Sequence, residues 1–158
     1  MVNKKIFLLG IALAILLNFI GCKNNGEDLI KNFLNDYYSY IEKVNDDNIQ
    51  ELASEEINYT DKSVLKKYLD EKTVGILVAD REYLSPVYLK LGIEKADLKI
   101  DSIEKEKDFY RIKYHLDFPQ KPELKEEHEI SLVIDGDKIK LKSGHLGPTK
   151  NIQELLDK

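Results

Sequence analysis

The sequence predicts an α+β domain in which N-terminal helices pack on a curved antiparallel sheet of about four strands. Up to Pro86, apolar residues recur at spacings of three and four, which is the period of amphipathic helices. After Pro86, apolar and polar residues alternate, which is the pattern of half-buried strands. Since the helices come first and the strands follow as a meander, we expect the helices to cover the apolar face of the sheet.

The clearest helical pattern runs over residues 27–44. Glu27 and Asp28 stand in the first turn, where negative charge stabilises a helix. The apolar positions of this helix are Leu29, Ile30, Phe33, Leu34, Tyr37, Tyr38, Ile41 and Val44. The run Asn45-Asp46-Asp47 is expected to end the helix and to cap a shorter one over residues 49–53.

A third helix is expected from about Asp61. Its apolar face would consist of Val64, Leu65, Tyr68 and Leu69. The apolar run 74–79 fits a buried helix and a buried strand equally well, so the pattern leaves both open. Pro86 then marks a boundary, because a proline disfavours helical backbone in the residue before it.

Four strands are expected after this boundary. The first holds Leu98, Ile100 and Ile103, and the charged segment 104–108 forms the turn after it. The inward positions of the second are Tyr110, Ile112, Tyr114, Leu116 and Phe118, and Pro119 and Pro122 end it. The third carries His128, Ile130, Leu132 and Ile134, and the fourth carries Ile139 and Leu141. Asp135-Gly136 between them favours a tight hairpin, and residues 152–156 form a short last helix or a frayed end.

The first 22 residues have the layout of an export leader that ends at Cys22, the single cysteine. Lys4 and Lys5 give a basic start, residues 6–20 are largely apolar, and Gly21 is a small residue before the cysteine. Phe19-Ile20-Gly21-Cys22 resembles the bacterial lipobox. The resemblance implies that residues 1–21 are removed, that the Cys22 thiol is acylated, and that residues 22–26 are the lipidated cysteine and its tether. The alternative is an uncleaved anchor, but the apolar run is shorter than the about 20 residues that span a bilayer.

Removal of the leader leaves residues 27–158 as a single α+β domain after the tether, a length that suits one hydrophobic core. The leader holds two lysines and no acid, so its removal takes the formal charge from −5 to −7. An acidic balance opposes binding to nucleic acid, and no nucleic-acid partner is expected. The expected contact with the membrane is the lipid on Cys22, since two or more acyl chains anchor a protein firmly.

The order of a long first helix, shorter helices and a curved meander resembles the NTF2-like fold of the cystatin-like class, over about residues 27–143. The resemblance implies a conical pocket between helices and sheet, and a homodimer formed through the sheet. Domains of this kind include enzymes, ligand binders and interaction modules, so the fold does not choose among these functions.

Tyrosine is frequent on the expected core faces, where it occupies positions 37, 38, 68, 110 and 114. A buried tyrosine usually bonds its hydroxyl to a partner, and converging hydroxyls suit a small polar or aromatic ligand. Two interpretations follow. The favoured one treats these tyrosines as ordinary core residues, and the other is a pocket bordered by Tyr37, Tyr110 and Tyr114.

No catalytic residue, metal site or cofactor is predicted. His115, His128 and His145 are isolated, whereas zinc ligands come in closely spaced pairs, and a solvated position is expected for each. The acid-rich stretch 123–129 lacks the alternating ligands of a calcium loop and is expected to be a solvated face. If the domain is an enzyme, its candidate residues are His128 with a neighbouring acid and Tyr114.

The expected function is that of an exported, lipid-anchored cell-envelope protein that acts as a non-catalytic binding or interaction module. Its domain would face away from the cytoplasm, on the cell membrane or the outer membrane, and its partner would be an envelope or extracellular protein. The alternative is a small-molecule binder or an enzyme that uses the tyrosine-lined pocket.

Overall fold

The computed structural model of the chain describes residues 25–39, 41, 62–79 and 87–157. The helices are α1 (Asn25–Tyr38), α2 (Lys62–Tyr68), α3 (Glu71–Ala79), α4 (Val87–Lys90) and α5 (Lys150–Gln153), and a 3-10 turn covers Glu154–Asp157. The strands are β1 (Asp97–Lys105), β2 (Tyr110–Asp117), β3 (Lys125–Asp135) and β4 (Lys138–Ser143). This is an α+β fold with helices on a sheet, which confirms the predicted fold class.

The four strands form one open, curled antiparallel sheet in the order β1-β2-β3-β4. Neighbouring strands are consecutive in the sequence, so the sheet is the predicted meander. In the centre of the sheet Tyr114 pairs with His128, and Tyr110 pairs with Leu132. A two-residue turn joins Asp135 to its partner Lys138, and Gly136 has the positive φ of 65° that such turns require.

A β-bulge in β1 explains the spacing of its apolar residues. Ile100 pairs with Tyr114 and Ser102 pairs with Lys113, so Asp101 has no place in the register. The extra residue shifts the alternation by one, and Ile103 therefore lies on the same face as Ile100, opposite Ile112. The side chain of Asp101 instead accepts a hydrogen bond from Nδ1 of His115, at 2.9 Å.

Helix α1 lies along the inner face of the sheet and supplies much of the core. Its side chains at Ile30, Phe33 and Leu34 are fully buried, in one cluster with sheet residues such as Ile112 and Leu132. Fully burying an apolar side chain of this size contributes about 1.5–3 kcal/mol. The amphipathic period thus determines how α1 packs, because the apolar face of the helix is buried against the inward apolar face of the strands.

The two ends of α1 contact different parts of the sheet. Near its start, Gly26 packs so closely that an added Cβ would lie 2.5 Å from Oη of Tyr110 and 2.9 Å from Cδ1 of Ile134. At its end, the hydroxyls of Tyr38 and Tyr114 are 2.7 Å apart. Helix α1 therefore runs from the β1–β2 turn and the β3–β4 hairpin towards the β2–β3 turn.

The helices after α1 follow the sequence pattern with one ambiguity removed. The run 74–79, which fitted helix or strand, belongs to α3, with Leu77 buried. Leu69 makes an isolated parallel bridge with Ile139 of β4, which separates α2 from α3. Asp70 then caps α3, because its Oδ1 accepts the Thr73 N–H at 2.9 Å. Hydrogen bonding to the Thr73 side chain, supported by this backbone bond, lowers the pKa of the Asp70 carboxyl.

The expected bounds of the first two helices compare with the structure as follows. Helix α1 starts at Asn25, two residues before the expected start, and Ile41 is also helical. Residues 42–44 and the short helix expected over 49–53 lie outside the described residues, as does the leader. Among the helices that are described, none has the length and apolar character needed to cross a membrane.

Candidate functional site

Polar side chains converge on the inner face of the sheet, where β2 and β3 pair beside the end of α1. This buried polar cluster consists of Tyr38, Tyr88, Tyr114, Glu126 and His128. None of the five exposes more than 7% of its surface. Four different elements supply them, because α1 carries Tyr38, α4 carries Tyr88, β2 carries Tyr114, and β3 carries the acid and the imidazole.

Glu126 is the acceptor at the centre of the cluster. Its Oε2 accepts the Tyr88 hydroxyl at 2.5 Å, and its Oε1 accepts the backbone N–H of Thr149. Burial opposes the charged carboxylate, but the facing His128 imidazole and these two donors outweigh burial and hold the pKa of Glu126 below its usual range. Burial, together with the adjacent Glu126 carboxylate, raises the pKa of Tyr88 well above its ordinary value.

His128 is bonded on one side only. Its Nδ1 lies 3.2 Å from the carbonyl oxygen of His145, and since a carbonyl accepts, Nδ1 carries a proton. Its Nε2 is 3.7 Å from Oε2 of Glu126, which exceeds a hydrogen-bond distance. Within the described part of the chain, Nε2 is a buried nitrogen with no hydrogen-bond partner. The ring stacks on Tyr114, with centroids 4.8 Å apart and planes 6° from parallel.

The tyrosine hydroxyls form a directed chain. The Tyr38 hydroxyl donates to the carbonyl oxygen of Leu146 at 2.9 Å, because a carbonyl cannot donate. The Tyr114 hydroxyl, 2.7 Å from that of Tyr38, must therefore donate to it. Burial is the main cause that raises the pKa of both tyrosines well above the ordinary value, so both keep their protons at neutral pH.

The cluster binds the backbone of residues 145–149, which we call the strap. His128, Tyr38 and Glu126 bond the backbone of residues 145, 146 and 149 in turn. Gly144 leads into the strap with a φ of 94°, and an added Cβ would lie 2.5 Å from the Glu129 carbonyl oxygen. Glycine is needed there both for the backbone angle and for the close approach to β3.

The structure separates the three tyrosines of the predicted pocket. Tyr37 and Tyr114 are both at the cluster end of α1, where the ring of Tyr37 is 5.0 Å from that of Tyr38. Tyr110 contacts Gly26 at the other end, and the twelve residues from there to Tyr38 correspond to about 18 Å of helix. A pocket bordered by all three stays a prediction, whereas the residues gathered around Tyr114 are Tyr38 and His128.

Two expectations about solvation are wrong. His128 was expected in solvent, yet its side chain is only 2% exposed. Glu126 belongs to the stretch 123–129 that was expected as a solvated face, yet it is buried. The physical reason is that β3 begins at Lys125, so the alternation that points Ile130 inward also points these two inward. The period-two pattern already grouped His128 with Ile130, and extending it two residues further upstream would have found Glu126.

Tyr88 was not predicted from the sequence as a site residue. It lies in a four-residue helix, which is too short to show a helical period.

Of the other histidines, His145 is exposed, as expected. The side chain of His115 is 16% exposed and bonds Asp101 on the outer face of the sheet.

The outer face of the sheet carries paired charges, which we call the outer ladder. Its members are Lys99, Asp101, Arg111, Lys113, His115, Asp117 and Glu129. Nζ of Lys99 is 2.6 Å from Oδ2 of Asp117, which raises the pKa of the lysine and lowers that of the acid. Glu129 lies between Arg111 and Lys113, at 3.7 and 3.8 Å. This face is therefore charged, balanced and open to solvent.

The described residues contain no group of three or more His, Cys, Asp or Glu side chains placed to hold a metal ion. Comparisons of the chain with protein families, with curated proteins and with solved structures found no match.

Proposed function

We propose that this chain is an exported protein of the bacterial cell envelope, anchored by lipid on Cys22, whose α+β domain is a non-catalytic binding module for another envelope or extracellular protein. The export signal and the lipobox-like Phe19-Ile20-Gly21-Cys22 support the anchoring. The domain would face away from the cytoplasm, because the leader directs the chain across the membrane.

The observation that carries the non-catalytic part of this proposal is the closure of the buried polar cluster. Its hydroxyls and its carboxylate bond one another or the strap, and each residue is at most 7% exposed. Buried hydroxyls and carboxylates that bond one another and the backbone hold the core and the strap together, as buried polar networks commonly do. A substrate in solvent does not reach them in this conformation.

The outer ladder is the surface best suited to a partner. Along β2 and β3 it offers charged side chains at a spacing that the sheet fixes, and the paired Lys113 and Glu129 remain more than half exposed. Charged groups in fixed positions give a protein interface its orientation and its specificity. The partner would accordingly be a protein surface with both signs of charge.

The anchoring is tested with the full chain in its host. A wild-type chain should fractionate with membranes and float with lipid. The Cys22→Ser variant should carry no lipid, and its measured mass should differ from that of the lipidated mature chain. If both chains carry the same mass and partition equally, the lipid anchor is refuted.

The binding role is tested by crosslinking on intact cells. A photo-reactive residue at position 113 of the outer ladder should capture one protein species repeatedly. The matched control at Gln120, an exposed residue of the β2–β3 turn, should not capture that species. Equal capture from both positions would contradict the assignment of the binding surface to the outer ladder.

A second candidate function is supported by the bonding of His128. Its buried Nε2 lacks a hydrogen-bond partner within the described residues and faces Glu126 at 3.7 Å, beside the ring of Tyr114. A buried polar atom without a partner is costly, and a small ligand with a hydrogen-bond donor or acceptor would satisfy it. This favours a small polar molecule as the ligand of a binder or, with His128, Glu126 and Tyr114, of an enzyme.

Native mass spectrometry of the detergent-released chain separates the two candidates. A stoichiometric extra mass that His128→Ala removes and Lys113→Ala keeps would establish the ligand. A chain that carries only its lipid would contradict the second candidate and leave the protein-binding role.

A further inference from the structure

The geometry points to one orientation of the domain on the membrane, in which the β1–β2 turn and the β3–β4 hairpin face the phospholipid headgroups. This inference rests on the lipid attachment at Cys22 in the proposed function. The partner of this surface is the headgroup layer of the membrane that holds the acyl chains.

The tether between Cys22 and α1 is short. Asn25, the first residue of α1, is three residues after Cys22. An extended residue spans at most about 3.6 Å, so α1 begins within about 11 Å of the Cys22 Cα in any conformation of the tether. With acyl chains in the bilayer, that cysteine lies at the membrane surface. The start of α1 is therefore close to the headgroups.

The start of α1 packs against two turns of the sheet. Gly26 packs against Tyr110, which opens β2, and against Ile134, which precedes the hairpin turn. Tyr110 pairs with the last residue of β1, and the turn between them is closed by the Glu106 N–H, which donates to the Phe109 carbonyl at 2.8 Å. Residues 105–110 and 134–138, which we call the proximal end, are thus held at the membrane with α1.

The opposite end of the sheet lies far from the start of α1. The eight residues of β2 carry the chain about 25 Å from Tyr110 to the β2–β3 turn, at about 3.3 Å per residue. Helix α1 runs beside it in the same direction, since its end meets Tyr114. The buried polar cluster, the strap and residues 118–124 consequently lie at the distal end, away from the lipid.

The chemistry of the proximal end suits an interface of water and lipid. Nζ of Lys105 lies 5.6 Å from the ring centroid of Tyr110, and Nζ of Lys142, which reaches the proximal end from β4, lies 3.7 Å from that of Phe109. Lys105 and Lys142 are exposed, and lysines with apolar stems are residues favoured at headgroup depth. The exposed acids Glu106 and Asp108 oppose attraction to anionic lipid, so the short tether sets the orientation.

The test compares two cysteine variants of the full lipidated chain in phosphatidylcholine vesicles. Lys107→Cys places a thiol in the proximal turn, and Gln120→Cys places one in the distal turn; both positions are exposed. The substituted cysteine is the single free thiol, because the Cys22 thiol carries the lipid. A fluorophore at position 107 should be quenched several-fold more strongly by nitroxide-headgroup lipids than one at position 120.

Equal quenching at the two positions, or stronger quenching at position 120, would overturn the orientation. Flotation of the same vesicles separates this failure from failure of the anchor. A labelled chain that floats, but whose two positions are quenched equally, overturns the orientation alone, and a chain that does not float overturns both proposals. Insertion of a long Gly/Ser segment between Cys22 and Asn25 should reduce the difference, because the reach of a flexible linker grows with its length.

Discussion

The two faces of the sheet use the same residue types in opposite ways. Along β3, Glu126 and His128 point inward and are buried, while Glu127 and Glu129 point outward and are exposed. The inner carboxylate accepts hydrogen bonds from a tyrosine and a backbone N–H and faces an imidazole at 3.7 Å, whereas Glu129 pairs with two cations in contact with solvent. One residue of displacement along a strand thus changes a carboxylate from a solvated charge into a structural centre.

The strongest test of this contrast compares two neighbours in the sequence. Glu126→Ala should destabilise the domain by about 3–5 kcal/mol, because Tyr88 and the Thr149 N–H lose a buried acceptor and His128 loses its facing charge. Glu127→Ala, the matched control on the outer face, should change the free energy of unfolding by less than about 0.5 kcal/mol. Urea denaturation of both variants measures the difference, and equal effects would refute the structural role of Glu126.

The tyrosine chain gives a second, smaller test within the inner face. Tyr38→Phe removes the donor to Leu146 and the acceptor for Tyr114, and should cost about 2–3 kcal/mol. Tyr114→Phe leaves the Tyr38–Leu146 bond intact and should cost about 1 kcal/mol. Thermal unfolding of the two variants gives the order, and a larger cost for Tyr114→Phe would reverse the assigned direction of the chain.

The inner carboxylate also predicts a pH dependence. The pKa of Glu126 is lower in the folded state, so its charge contributes stability that is complete above the unfolded pKa of about 4.3. That contribution is lost as the pH falls through the folded pKa. Stability of the wild-type chain should fall in this acidic range, and Glu126→Gln should flatten the fall. A Glu126→Gln variant with an unchanged acid profile would assign the acid sensitivity to other carboxyls.

The smallest effect is expected on the outer face. A double-mutant cycle on Lys113 and Glu129, which are 3.8 Å apart and half-exposed, should give a coupling of about 0.2–1 kcal/mol at low salt. Added salt should remove most of it, because exposed charges are screened. A coupling that is larger, or that salt does not change, would show that the outer ladder is stabilised as the inner cluster is.

The fold was accessible from the sequence because its signals are local. The alternation from Tyr110 to Phe118 identifies β2, and the spacing from Leu29 to Ile41 identifies α1. Both patterns report which face of an element is buried, and burial is what holds these elements together. The bulge at Asp101 was the exception, because no residue type marks a shift of register.

The buried polar cluster was accessible only in part. Alternation and helical period placed Tyr114 and Tyr38 on inward faces; the alternation also grouped His128 with Ile130, although a solvated position was expected for this histidine. Glu126 was not found, because an acidic residue is ordinarily exposed and its two donors come from segments distant in the chain. Contacts between distant segments decide whether a buried charge is tolerated, and a single sequence does not display them.

The bulge at Asp101 affects how neighbouring copies of this protein can associate through their sheet edges. In the described sheet β1 is an edge strand that pairs on one side only, so its other side is a row of backbone donors and acceptors open to a foreign strand. The extra residue twists this row and interrupts its spacing, so that a regular strand from a neighbouring molecule does not find a matching register. Copies of this protein packed side by side are thereby hindered from joining their sheets through β1.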